Sequence, residues 1–147
     1  MIECTSISFW KSNYQVTDGT MSATLNFGWR GGSIKTIESA ISVEIRGWLC
    51  QTFEFSTAAG VMGKAKCLGT LRRGFELIDN FQTITISAES LLSSSRRILG
   101  ADVNIVLRRT GWLGYDSVLD NSTLPFLTSA MCLWLTIHEW RVEASSG

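Results

Sequence analysis

From Met21 to Trp29 the chain alternates without interruption. Met21, Ala23, Leu25, Phe27 and Trp29 fall on one side, and Ser22, Thr24, Asn26 and Gly28 on the other. Period-two patterning of that length predicts a β-strand with one face toward a core, Trp29 included. Asp18-Gly19 is a turn signal ahead of it, and Gly31-Gly32 breaks it. Ser33 then stands where a helix N-cap would. Ile34, Ile37, Ile41, Ile45 and Trp48 recur at spacings of three and four, which predicts a helix with one apolar stripe and Gly47 as its stop. A rival pattern runs through its second half, where Ile41, Val43 and Ile45 alternate and are β-branched. Helix is the preferred reading.

Thr5 to Val16 is β-prone but irregular. Further strands are predicted over Trp48 to Phe55, Lys64 to Leu71, Phe81 to Ala88 and Val103 to Leu107. Leu91, Leu92, Ile98 and Leu99 suggest a short helix in the serine-rich stretch that follows Ala88. Thr110 to Leu124 reads as a loop around Trp112, long enough to suggest a working surface. Ser129 to Val142 is apolar on both faces, which predicts a strand covered on both sides, with a buried helix as the alternative. These elements make one α+β domain over residues 1–147, an antiparallel sheet of five or more strands with one or two packed helices.

Composition adds limits. Of 147 residues, 45% are hydrophobic and 18% charged, and six Trp and seven Phe supply a large apolar payload. The formal charge is zero, so no net field draws the molecule toward nucleic acid or membrane. Nine of the thirteen basic residues are arginines, six of them in the pairs Arg72-Arg73, Arg96-Arg97 and Arg108-Arg109. Such pairs suit planar recognition of phosphate, or else cap the ends of elements in solvent. Cys4, Cys50, Cys67 and Cys132 lie far apart beside apolar residues and read as small buried hydrophobes. With no signal-peptide pattern, a reducing compartment is expected. The longest apolar run, Phe126 to Ile137, is too short to cross a bilayer.

Side chains that perform chemistry are few. His138 is the single histidine, so a two-histidine metal site is excluded, and a Cys-His pair would need Cys67 or Cys50 brought to it by the fold. Gly60 and Gly63 precede Lys64 without the Ser or Thr of a phosphate loop, and no G-x-S-x-G turn occurs. The expectation is a protein with no catalytic residues, metal, cofactor or small-molecule substrate. One segment does stand out. Val61 and Met62 lie between glycines with Lys64 and Lys66 behind them, an apolar tip backed by cations suited to a bilayer interface or a partner's pocket. An ordinary hairpin with both side chains folded onto the sheet is the alternative.

The order of elements in the first half resembles the globular domain of rhabdovirus-type (Mononegavirales) matrix proteins. The matching text is Ala23-Thr24-Leu25-Asn26-Phe27, then Ile37 to Trp48, then Ala59-Gly60-Val61-Met62-Gly63-Lys64 and Ala65 to Leu71. The resemblance implies a non-enzymatic virion protein that self-associates, touches the inner leaflet of an anionic membrane and binds viral nucleoprotein-RNA during budding. It would occupy virion and host cytoplasm, peripheral to membrane. In that setting Val61, Met62, Lys64 and Lys66 form the contact loop, and Arg72, Arg73, Arg96, Arg97, Arg108 and Arg109 face phosphates. The other reading the residues allow is a bacterial cytosolic module of immunity type that binds a protein partner, in keeping with the near-neutral charge and aromatic richness.

Overall fold

The computed structural model describes the chain except residues 8–11, 48–49, 70–72, 81, 91–92, 112–113, 121–122 and 147, and the side chain of residue 146. Twelve antiparallel strands close into a barrel: β1 (Ile2–Ser6), β2 (Asn13–Thr17), β3 (Ser22–Gly28), β4 (Gly31–Lys35), β5 (Ala40–Arg46), β6 (Thr52–Thr57), β7 (Gly60–Cys67), β8 (Gly74–Asp79), β9 (Thr83–Ala88), β10 (Arg96–Leu99), β11 (Asn104–Arg109) and β12 (Ser117–Leu119). Each strand pairs with the next, and β1 pairs with β12 to close the ring. A helix, α1 (Phe126–Ser146), follows.

The helix lies in the lumen. Its residues 128–137 are buried on every side, and its side chains reach strands all around the wall. Trp134 Nε1 donates to the Asn26 carbonyl of β3 at 3.0 Å, while its ring stacks on Phe27 and meets Phe53 and Phe55 of β6 edge-on. Thr128 Oγ1 donates to Asp79 of β8, and Trp140 Nε1 to the Ser94 carbonyl ahead of β10. A barrel of about eight strands is filled by its own side chains, and diameter grows with strand number. Twelve strands leave room for a rod of about 10–12 Å, the width of a helix with its side chains. A helix so enclosed must be apolar all round.

This architecture corrects the α+β expectation of an open sheet with packed helices: the wall is closed, and the helix is inside it. Three element readings change with it. Residues 34–46 are not a helix; they belong to β4, the turn Thr36–Ser39 and β5, so the rival alternation of Ile41, Val43 and Ile45 decides, and Trp48 lies outside the described residues. Thr36 and Ser39 hold that turn through backbone bonds and the Thr36 hydroxyl, leaving Ile37 at its tip in solvent. Gly31-Gly32 does not break the sheet but lets it tighten. A Cβ on Gly31 would stand 1.9 Å from the Val43 carbonyl oxygen, and one on Gly32 would stand 1.9 Å from that of Asn26. The helix expected before Gly100 is β10 in its second half, and Leu91 and Leu92 lie outside the described residues. Ser129–Val142 is helix rather than strand, because a two-sided apolar pattern arises equally well in a rod surrounded on all sides. The loop after Thr110 contains the short strand β12.

Strand interiors carry the core: Tyr14, Val16, Leu25, Ile34, Ile41, Phe55, Leu77, Ile84, Ile86, Ile98 and Leu107 are fully buried. The outer wall is polar at mid-height, where Glu54 stands opposite Lys64 and Lys66 pairs with Glu76 at 3.7 Å. Apolar inside and charged outside is the reverse of the lipid-facing band of a membrane barrel. Among the described residues no helix is long and apolar enough to cross a membrane.

Candidate functional site

An up-and-down barrel places its connections alternately at two rims. At the rim where α1 begins lie the turns Asp18–Met21, Thr36–Ser39 and Gly100–Val103, with Asp79 and Asp120 at strand ends. Among the described residues this rim carries Glu3, Asp18, Glu38, Asp79, Asp102 and Asp120 against Lys35 and the amino group of Met1. Where α1 ends, the opposite rim carries Arg30, Arg46, Arg73, Arg96, Arg97, Arg108, Arg109 and Arg141, every described arginine of the chain. Glu44, Glu89, Asp116, Glu139 and Glu143 accompany them and offset part of that charge. The segregation matches the helix at its centre, whose N-terminus is the positive end of its dipole and whose C-terminus is the negative end. A neutral chain is thus a polar rod.

The arginine rim is built from inside outward. Arg96 is 0% exposed; its Nη2 and Nε donate to Glu139 Oε1 at 2.8 and 3.0 Å, and its Nη1 to the Ser94 carbonyl at 3.0 Å. Glu139 Oε2 accepts from the Gly74 backbone at 2.9 Å. Gly74 has φ +135°, and a Cβ there would lie 2.0 Å from the Ile86 carbonyl oxygen, so glycine is required for this approach. Burial pushes the Glu139 carboxyl above its ordinary range, and Arg96 pulls it back. Arg73 donates to the Ser90 and Ser93 carbonyls and pairs with Glu143 at 3.4 Å. Arg109 Nε donates to the Gly114 carbonyl at 2.7 Å and lies 4.8 Å over the Tyr115 ring. These three arginines lock the helix end to the barrel.

The outermost layer is different. Arg30 and Arg108 are exposed, with no ion-pair partner among the described residues, and Arg97 pairs with Glu89 at 3.2 Å. Beside Arg30, at the tip of the β3–β4 hairpin, Trp29 is 93% exposed. The expected burial of Trp29 is corrected here. Alternation holds through Phe27, but the chain leaves the wall at Gly28, and the next residue on the inward phase has no interior to enter.

His138 does not assemble with a nucleophile. Its Nε2 is 3.3 Å from Gln51 Oε1 and its ring stacks on Trp134. Burial, aided by the charge of Arg141, pushes its pKa down to about 4. Cys67 lines the same 220 Å³ recess but is bonded to Cys50, which ties the segment ahead of β6 to the end of β7. That disulfide corrects the reading of all four cysteines as buried thiols. Cys4 and Cys132 remain so, both pushed up to about 12 by burial. Among the described residues no three His, Cys, Asp or Glu side chains gather as metal ligands.

The candidate loop of Val61, Met62, Lys64 and Lys66 is part of β7. Val61 is exposed, Met62 leans on the core, and both lysines stand on the outer wall. Of the candidate phosphate-facing set, Arg73, Arg96 and Arg109 point into the rim, Arg97 and Arg108 outward, and Arg72 lies outside the described residues.

No family profile, curated protein or solved structure matches this chain. Its function must be argued from the two rims. Sequence reasoning passed over Trp29, Arg30 and Ile37 as surface residues; the dipeptide Trp-Arg between Gly28 and Gly31 was the available signal, a two-residue turn that cannot bury its own side chains.

Proposed function

We propose that the protein is a non-enzymatic structural unit of matrix type, one that self-associates and sets its arginine rim against a phosphate-bearing membrane surface. The observation that carries this reading is the gathering of the described arginines at one end of a rigid, filled barrel. The resemblance to matrix proteins does not support it, since the helix of that comparison, Ile37 to Trp48, is a turn and β5 over its described residues. A lumen occupied by α1 directs recognition to the outside. At the rim, Trp29 supplies an amphipathic ring of the kind that settles at headgroup level, and Arg30 and Arg108 supply free guanidinium groups.

Co-sedimentation with liposomes tests it. Vesicles containing phosphatidylserine are expected to pellet the protein at low salt and release it as salt rises, because exposed charges are screened. Phosphatidylcholine vesicles should not pellet it. Replacing Arg30 and Arg108 together by Glu should reduce pelleting at least fivefold with unchanged circular dichroism. Equal pelleting by both lipids, or by both proteins, defeats the reading.

A further inference from the structure

At the acidic rim an open apolar groove of about 520 Å³ is lined by Met21, Ile37, Pro125, Phe126 and Leu127, with Glu38 on its lip. Ile37 is 103% exposed and Met21 48%, although both are large apolar side chains. Exposed apolar surface of this kind marks a contact site. Its position is informative. The groove lies where β3 begins and β4 ends, while the Trp29-Arg30 turn lies where β3 ends and β4 begins. An apolar knob and an apolar groove therefore sit at opposite ends of the same pair of strands. The knob carries Arg30, and the groove carries Glu38 with Asp18 in the neighbouring turn.

We propose that the occupant of the groove is Trp29 of a second copy of this chain, so that barrels stack head to tail along their axes. Three features converge on a copy rather than an unrelated partner. The volume accepts an indole. The rims have opposite charge, so two copies in line meet arginine to acid, whereas like rims brought together repel. Knob and groove are the two ends of one strand pair, so a copy shifted along the axis, and turned about it by the offset that strand tilt gives, brings them into register. A contact between two different surfaces related by such a screw motion does not close on itself and extends as a filament. The inference rests on the reading of the protein as a self-associating unit and gives that unit a direction. A copy seated arginine-rim down on a membrane presents its groove away from the surface, ready for the next.

The test separates the two ideas. Wild-type protein followed by size-exclusion chromatography with light scattering should gain mass with concentration at low salt and lose it at 0.5 M salt. Trp29→Ser removes the knob and Ile37→Asp the groove; both side chains lie in solvent, so each variant should keep the wild-type circular dichroism and run as a 16.3 kDa monomer. Mixed in equal amounts, they retain one intact knob and one intact groove between them, and should form a dimer that grows no further. A mixture that stays monomeric while the wild type associates overturns the head-to-tail geometry, as does association unaffected by either substitution. A wild type monomeric at every concentration overturns both stacking and self-association. At a concentration where the wild type is monomeric, liposome pelleting by the Ile37→Asp variant should equal that of wild type, since its arginine rim is untouched; its loss there would overturn the separation of the two rims.

Discussion

His138 shows how a single side chain is committed by its surroundings. Stacked on Trp134 and held near Gln51, it stays neutral in the fold, with a pKa of about 4. In the unfolded chain it would take up a proton near pH 6.5. Between those values the unfolded state binds the additional proton, so stability falls as pH drops through that window. From pH 7 to pH 5 the loss from this group is about 2 kcal/mol. Glu139, whose carboxyl burial raises, takes up its proton in the fold before it does in the unfolded chain and so acts in the opposite direction. Urea unfolding at the two pH values should therefore show a smaller difference for His138→Gln than for wild type. An identical difference would mean that another group governs the pH dependence.

Among the elements, α1 holds the rest in place. Trp134 fills the centre of the lumen and satisfies its own N–H on Asn26. Trp134→Ala is expected to destabilise by about 3–5 kcal/mol, the range for emptying a large core site, measurable by denaturant midpoint. A value under 1 kcal/mol would show the wall collapsing into the gap. Strands β3, β6, β7, β9 and β11 were legible in the sequence because inward residues such as Leu25, Ile84, Ile86, Ile105 and Leu107 keep period two, whereas β8 was not anticipated. Residues 34–48 misled because isoleucines at 34, 37, 41 and 45 satisfy helical spacing by chance, one of them being a turn residue in solvent. The helix misled for the opposite reason. A rod enclosed on all sides loses the polar stripe by which amphipathic helices are recognised. Barrel closure had no local signal, since pairing of Ile2 with Leu119 joins residues from opposite ends of the chain.

For the whole molecule, charge segregation was equally hidden. The arginines are scattered from 30 to 141, and only the alternating direction of the strands gathers them at one rim. The same closure protects the barrel from its own edges. A chain lacking residues 1–6 would expose the free sides of β2 and β12 along their length. Unpaired strand edges recruit other chains, so this truncation should scatter light at concentrations where the intact protein stays clear. If it remains a clear, cooperatively folded species, closure contributes less than the filled lumen.

That α1 follows all twelve strands in the chain has a consequence during synthesis. Ribosomes release the wall first and its filling last, so a nascent chain can pair neighbouring hairpins long before it has anything to wrap. Translation halted upstream of Phe126 yields twelve strands with no centre, a product that proteases can tell from the finished one.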